Sequence, residues 1–284
     1  VDLKNAMKQS CDSYFYEIAR QLGVDRLRKT STKFGLGDKV LSGSYANEKK
    51  GLVPNTDWKK NNLGKAWVLG ETLITGIGQG YIQTTPLQLC LMIAQLANGG
   101  FKIYPKIVVG KNDKTADEIK TLMNRKLNNQ NTKKNLLTGG QEFFKSLKEE
   151  SYEKLFLDTE NIRLVKEAIF ASTNEVRGTS YSSRIEDPKY QFAGKTGTSQ
   201  VKRISKKDRE LDLKTFEIPY NERDHALYVA FGPYKNPRYA LSIVVEHGGS
   251  GSSAAAPIAK ELFKLIIDRH ELREKNIKKK STNI

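Results

Sequence analysis

The stretch FAGKTGTSQV, from Phe192 to Val201, carries a lysine between a glycine and a threonine and is the first candidate for chemistry. Two different kinds of site share these letters. Gly-Lys-Thr ends the loop that cradles phosphates in nucleotide hydrolases. Lys-Thr-Gly lines the active site of serine acyl-transfer enzymes. The residues around Lys195 must decide between a phosphate site and an acyl-transfer site.

The neighbours of Lys195 exclude the phosphate loop. That loop needs a glycine five positions before the glycine of Gly-Lys-Thr, because bare backbone N–H groups wrap the phosphates. Lys189 occupies that position. Tyr190, Phe192, Thr196 and Thr198 alternate with smaller or polar residues, which is typical of a strand and not of a loop that opens a helix.

The composition indicates a globular chain of 284 residues, 38% hydrophobic and 9% aromatic, with a net charge of +16. The basic excess lies in two segments, 111–148 and the C-terminal tail, and no aromatic residues are interleaved with it for stacking on bases. We therefore expect no nucleic-acid partner. Cys11 and Cys90 lack the spacing of a metal or redox site.

The elements that must position Lys195 follow from apolar spacing. Residues 1–110 are mainly helical, with a break at Ser10, where Asp12 or Ser13 could cap a second helix, and with a long loop over 38–70. Segment 111–150 has little periodicity and is predicted to be a surface insertion. Residues 151–272 hold a helix, three strands and a closing helix, and 273–284 form a basic flexible tail. The pattern predicts an α+β fold with an antiparallel sheet.

Two of these helices have predicted inward faces. In the helix before the strand of Lys195 the predicted inward residues are Leu164, Ala168 and Ala171. In the closing helix they are Ile258, Leu262, Leu265 and Ile266.

The strand Lys195-Thr196-Gly197-Thr198, followed by a hairpin and a closing helix, resembles the penicillin-binding transpeptidase family. Ser10-Cys11-Asp12 stands where that family has Ser-x-Asn, with Asp in place of Asn. This variant is similar to the elongation-specific class B penicillin-binding proteins, as are GIGQGYIQTTPLQL and DHALYVAFGPYKNPRYALSIVVEHGG. The resemblance runs to about Leu272 and implies the fold shared with serine β-lactamases, an antiparallel sheet flanked by helices with a helical subdomain.

The resemblance also implies roles for individual residues in acyl transfer. Ser10, with Asp12 beside it, would relay the proton to the leaving amine. Lys195 would keep that relay polarised and attract the substrate carboxylate, to which the Thr196 and Thr198 hydroxyls would bind. Gly197 would let the substrate lie along the strand, and the Thr198 N–H would form one arm of the oxyanion hole.

The nucleophile of the family, in Ser-x-x-Lys, is not expected within this chain. Ser151 to Lys154 matches this pattern but follows Ser-x-Asp, whereas the family places its motif before, and we interpret the match as a coincidence. The nucleophile helix and the first two strands of the sheet are expected upstream of Val1. We therefore expect the chain to be the C-terminal part of a transpeptidase domain and to be inactive alone.

Metal binding is left open. Some relatives place a metal beside the Ser-x-Asp motif, so Cys11 is a candidate zinc ligand whose partners would lie upstream. His225, His247 and His270 show no metal spacing, and no other cofactor is expected.

The implied function is the cross-linking of peptidoglycan stem peptides by an enzyme that binds β-lactam antibiotics. The resemblance implies an anchor in the inner membrane upstream of this chain, a periplasmic location, and a membrane glycosyltransferase of the elongation machinery as partner. The alternatives are a β-lactamase or D,D-carboxypeptidase and, from another class, a remnant that only binds partners.

Overall fold

The computed structural model of the chain describes residues 1–41, 45–107, 153–156, 158–202 and 213–282, so the predicted insertion at 111–150 and Ser151 lie outside the described residues. The helices are α1 (Leu3–Lys8), α2 (Asp12–Leu22), α3 (Val24–Lys33), α4 (Thr56–Leu63), α5 (Leu69–Gly76), α6 (Pro86–Ala97), α7 (Glu160–Asn174) and α8 (Ala256–Thr282). The strands are β1 (Ala193–Ser199), β2 (His225–Gly232) and β3 (Tyr239–Val245). None of the helices in these ranges is both long and apolar enough to cross a bilayer.

The break between α1 and α2 lies where the sequence predicts it, but its cap differs. Asp2 begins α1 by accepting a hydrogen bond from the Asn5 N–H at 2.7 Å. Cys11 occupies the cap position of α2 without a side-chain hydrogen bond, and Asp12 is already the first helical residue. The expectation that Asp12 or Ser13 caps this helix was therefore wrong. The Asp12 carboxylate lies in the first turn, where the helix dipole favours a negative charge.

The predicted loop over 38–70 was also wrong, because it contains α4 and the start of α5. Asn55 caps α4 by accepting from the Trp58 N–H at 2.9 Å, and Gly64 ends it in the left-handed conformation at φ 63°. The buried residue of α4 is Lys59, which pairs with Glu71. This short helix is held by its caps and an ion pair, so it lacks the apolar periodicity that would have revealed it.

The sheet has the order β1-β2-β3, and both pairs are antiparallel. Lys195 lies opposite Val229, and Gly197 lies opposite Leu227. Within the described residues β2 is central, and one edge of β1 is not paired with a strand. This confirms the predicted strand and hairpin.

Each face of the sheet packs on its own core. On one face Phe192, Tyr228 and Phe263 are fully buried together with alanines of α8. On the other face Ile93 of α6 and Ile169 of α7 pack against Ala193 and Phe231. The sheet therefore lies between α8 on one face and α6 and α7 on the other. This packing fixes the position of β1 relative to α1 and α2.

The predicted inward faces of α7 and α8 were wrong in part. Ala168 and Ala171 are fully buried, but Leu164 is 39% exposed. Ile258 and Leu265 of α8 are 42% and 62% exposed, and the buried residues are Ala256, Ala259, Phe263 and Ile267. Each helix carries apolar residues on more than one face, and the alanines let it approach the sheet closely. The predicted flexible tail differs as well, because α8 continues to Thr282.

A buried cluster of hydroxyls joins α7 to β1 and β2. The Thr173 Oγ1 donates to the Gly194 carbonyl at 3.1 Å, accepts from the Gly194 N–H at 3.0 Å and lies 2.9 Å from the Tyr228 hydroxyl. Ser180 Oγ lies 3.0 Å from the same tyrosine hydroxyl. A side chain at Gly194 would collide with Tyr228, so this glycine is required by a close approach.

Replacing Thr173 by valine is expected to lower the free energy of unfolding by about 1–3 kcal/mol, because the buried Gly194 peptide groups lose their partner. Urea unfolding of the whole protein measures this change. Thr173→Ser keeps the hydroxyl and serves as the matched control. Equal stability of the valine and serine variants would show that the hydroxyl cluster does not stabilise β1.

Candidate active site

Ser10 projects from the sharp turn between α1 and α2. Its φ is 54°, in the left-handed region that residues other than glycine seldom adopt. The turn is held by hydrogen bonds from the Ser10 N–H to the Met7 carbonyl at 3.3 Å and from the Cys11 N–H to the Ala6 carbonyl at 2.9 Å. Strain of this kind persists only where the surroundings enforce it and is concentrated at functional sites.

Lys195 reaches Ser10 from the central part of β1. Its Nζ donates to the Ser10 Oγ at 2.6 Å, to the Thr196 carbonyl at 3.0 Å and to the Thr196 Oγ1 at 3.3 Å. Three oxygens therefore surround the three donors of the ammonium group. The geometry brings together two residues that are 185 positions apart in the sequence.

The protonation of Lys195 is set by its environment. Burial lowers the pKa of the Lys195 ammonium to about 8, and the Asp12 carboxylate opposes this effect by favouring the charged form. Asp12 is placed near the site at the start of α2 and acts on Lys195 through its charge. A lysine with a pKa near 8 can both hold a charge at neutral pH and release a proton to a neighbouring oxygen.

A chain of hydroxyls continues from Lys195 into the protein. The Thr196 Oγ1 donates to the Thr179 Oγ1 at 3.2 Å, which lies 3.0 Å from the Ser172 Oγ. The Thr179 N–H donates to the Lys8 carbonyl at 3.1 Å. The segment after α7 therefore ties β1 to the last turn of α1, two residues before Ser10, and fixes the separation of the two halves of the site.

An ion-pair cluster reinforces the same connection. Glu175 follows α7, and its carboxylate forms ion pairs with the Lys4 Nζ at 2.6 Å and the Lys8 Nζ at 3.1 Å. The hydrogen bond from Lys4 is the main cause that lowers the pKa of the Glu175 carboxyl. Both lysines belong to α1, so the cluster holds that helix against the end of α7.

Gly197 and Thr198 lie near the C-terminal end of β1. A Cβ on Gly251 would lie 2.8 Å from the Gly197 carbonyl oxygen, so the start of the turn before α8 packs directly on the strand. The Thr198 carbonyl accepts a hydrogen bond from the Gln79 Nε2 at 2.7 Å. Because the N–H and C=O of one residue in an antiparallel strand point to the same edge, the Thr198 N–H also faces away from β2.

Gln79 is the residue that the sequence reasoning missed. It lies in the turn between α5 and α6, and its neighbours Gly78 and Gly80 have φ values of 80° and 79°. Two glycines flanking one long polar side chain, in GIGQG, were a signal for a turn that presents the glutamine. The sequence analysis used GIGQG only as a sign of similarity to the transpeptidase family and gave Gln79 no role.

The described residues contain no group of three or more His, Cys, Asp and Glu side chains arranged to hold a metal. Cys11 is a free cysteine at the cap of α2, so a zinc ion there stays a hypothesis. His225 and His247 pack ring against ring at 4.7 Å, and the His247 N–H donates to the His225 Nδ1 at 3.0 Å. These two histidines have a structural contact with each other.

The remaining motif residues lie elsewhere. Lys154 pairs with Phe101 in an isolated bridge between backbone segments, in the part of the chain that connects α6 and α7. His270 contacts Arg238 at 2.9 Å and Glu274 at 2.8 Å on the outer part of α8.

Residues 1–264 match the penicillin binding protein transpeptidase domain. The chain is 32% identical over 268 residues to peptidoglycan D,D-transpeptidase MrdA of Salmonella typhimurium, which covers 94% of this chain and 38% of that protein. It is 27% identical over 278 residues to MrdA of Escherichia coli, covering 97% and 38% of the two chains. The chain thus spans less than half of the length of these relatives.

Solved structures show the same similarity. PBP2 of Pseudomonas aeruginosa is 33% identical and superposes with a TM-score of 0.68 over 93% of this chain and 49% of that chain. PBP2 of Helicobacter pylori in its complex with MreC is 26% identical, with a TM-score of 0.69 over 96% of this chain and 40% of that chain. These matches confirm the predicted α+β fold and the predicted membership of the penicillin-binding transpeptidase family.

Proposed function

The chain belongs to the penicillin-binding protein transpeptidase family, and on that premise we propose that the whole protein is a serine-type peptidoglycan D,D-transpeptidase. The observation that carries the proposal is the 2.6 Å hydrogen bond from the Lys195 Nζ to the Ser10 Oγ. It joins a strained serine to a lysine that titrates near pH 8. Acyl transfer needs such a pair to move a proton beside the reacting carbonyl.

The substrate would be a stem peptide ending in D-Ala–D-Ala, lying along the open edge of β1. Its terminal carboxylate would meet the Lys195 ammonium and the Thr196 and Thr198 hydroxyls, since charge-assisted hydrogen bonds are the strong ones. Gly197 presents no side chain to the incoming backbone, which allows the peptide to add as a strand.

In the acylation step, the oxygen of a nucleophilic serine would bond to the penultimate D-Ala carbonyl carbon, and its hydroxyl proton would pass to the lysine of the same Ser-x-x-Lys motif. The oxyanion would be held by backbone N–H groups, one of them from Thr198. The bond to the terminal D-Ala nitrogen would then break as that amine takes the Ser10 hydroxyl proton, and Ser10 would recover the proton of the nucleophile through the pair with Lys195. The amine of a second stem peptide would then attack the acyl carbon, the ester bond to the serine would break, and the proton lost by the amine would return to the serine oxygen.

We place this activity in cell-wall elongation, at the periplasmic side of the inner membrane, with an anchor outside residues 1–284. The similarity to the PBP2 that forms a complex with MreC supports an MreC-type partner. A membrane glycosyltransferase would supply the glycan strands whose peptides are joined.

Labelling of the whole protein with a fluorescent penicillin tests the proposal. We expect one covalent adduct, mapped by mass spectrometry to a serine of a Ser-x-x-Lys motif outside residues 1–284, with Ser151 unlabelled. Incubation with stem peptide and an acceptor amine is expected to give a cross-linked product. Hydrolysis without cross-linking would indicate a carboxypeptidase or β-lactamase, and the absence of any adduct would indicate a remnant that only binds partners.

A further inference from the structure

Gln79 joins the helical half of the molecule to the catalytic strand. Its turn is closed by hydrogen bonds from the Gly78 N–H to the Thr75 carbonyl and from the Gln79 N–H to the Ile74 carbonyl, both at 3.0 Å. From this turn the side-chain amide crosses to the Thr198 carbonyl at 2.7 Å, over a separation of 119 residues. The contact reaches β1 at its last residue but one.

The position of this contact matters because strand ends fray. Thr198 lies beside Ser199, where β1 ends. A side chain that holds the Thr198 carbonyl restrains the backbone of the residue whose N–H faces the same edge. An oxyanion donor is effective only when it is fixed before the charge develops.

The contact leaves the open edge of β1 able to pair with a substrate. The Lys195 Nζ donates to the Thr196 carbonyl at 3.0 Å, and Gln79 donates to the Thr198 carbonyl. A carbonyl oxygen has two lone pairs, so each can accept a second hydrogen bond from an added strand. The N–H groups of Thr196 and Thr198 face the same edge and can donate to a carbonyl oxygen or a developing oxyanion.

We infer that Gln79 is a positioning residue for acyl transfer, which holds the Thr198 carbonyl so that the Thr198 N–H is directed at the oxyanion; the inference rests on the proposed function. Gln79 acts through Thr198 and needs no contact with substrate. Its essential property is an amide N–H donor at the end of a side chain of this length.

The variant Gln79→Glu separates this role from a packing role. It keeps the length and shape, but an ionised carboxylate accepts and cannot donate to the Thr198 carbonyl, whereas a protonated one can donate. We expect the acylation rate of the whole protein, divided by the wild-type rate, to fall at least about fivefold as pH rises from 4 to 8, because a glutamate carboxyl ordinarily loses its proton near pH 4.3. Gln79→Leu is expected to lose about tenfold at every pH, because its donor is absent throughout.

Gln83→Glu is the matched control, since it makes the same substitution four residues later at an exposed position. Its rate ratio is expected to be independent of pH. The amide resonances of Thr198 and Ser199 give a second readout that does not require acylation: in Gln79→Glu they are expected to titrate with the new carboxyl group.

The outcomes distinguish the two proposals. A Gln79→Glu ratio that is flat with pH, or wild-type rates in Gln79→Leu, would overturn the role of Gln79. If the wild-type protein formed no penicillin adduct, the proposed function would fail, and the resonances would still decide whether Gln79 holds Thr198. Resonances that do not follow the carboxyl titration would refute the contact itself.

Discussion

Lys195→Ala is expected to lower the rate at which the whole protein is acylated by a fluorescent penicillin at least about tenfold, while the fold is retained. The variant removes the charge-assisted hydrogen bond to the Ser10 Oγ and the ammonium group that would bind the substrate carboxylate. Loss of one such contact in a closed site costs about 1.5–3 kcal/mol, and each 1.4 kcal/mol is a factor of ten in rate. Stopped-flow acylation measures the rate, and a thermal melt checks the fold.

Lys202→Ala is the matched control for this experiment. Lys202 lies on the same chain segment, beyond the end of β1, and its Nζ forms an exposed ion pair with Glu222 at 2.7 Å. The substitution removes the same charge from the surface, where an ion pair contributes little. Acylation at the wild-type rate is therefore expected for Lys202→Ala, and the same result for Lys195→Ala would remove Lys195 from the site.

The sequence reveals the site where its chemistry is carried by consecutive residues. Lys195 to Thr198 lie on one strand whose alternation is visible, and Ser10 lies at a break in apolar spacing that two helices define. The spacing of apolar residues along the chain does not predict the distance between the Ser10 and Lys195 side chains. It depends on the ion pairs of Glu175 and the hydrogen bond from Thr179 to Lys8, which connect α1, α7 and β1 across the fold.

Long-range contacts of single side chains explain the rest of what sequence reasoning missed. The role of Gln79 depends on a partner 119 residues away, and α4 depends on the ion pair of Lys59 with Glu71. The inward face of α8 was misplaced because its alanines pack on the sheet while Leu265 remains exposed. The hydrophobicity of the residues alone does not show which of the two apolar stripes of α8 packs closely against the sheet.

Burial of Lys195 has a second consequence, for stability. Its pKa is lowered from 10.5 to about 8 in the folded protein. Below pH 8 both states hold the proton, and above 10.5 neither does, so this group adds no pH dependence there. Between these values the unfolded chain binds a proton that the folded protein has released, so stability rises with pH.

We therefore expect the free energy of unfolding of the wild type, relative to Lys195→Met, to rise by roughly 3 kcal/mol between pH 8 and 10.5, since one pKa unit corresponds to about 1.36 kcal/mol. Urea unfolding of the two whole proteins across this pH range measures the difference. Methionine has a similar length and no charge, and other groups that titrate in this range are common to both proteins and cancel.

Tyr228 illustrates why the comparison is needed. Burial raises the pKa of the Tyr228 phenol to about 12, so unfolding becomes easier as pH rises above the ordinary value of 10. In a measurement on the wild type by itself, the effect of Tyr228 would partly cancel the effect of Lys195. Tyr228 is present in both proteins, so its effect drops out of the difference between them. A difference that stays flat from pH 8 to 10.5 would mean that Lys195 keeps its ordinary pKa in the folded state. The site would then hold a solvated ammonium group, and the tight pair with Ser10 would contribute no proton transfer near neutral pH.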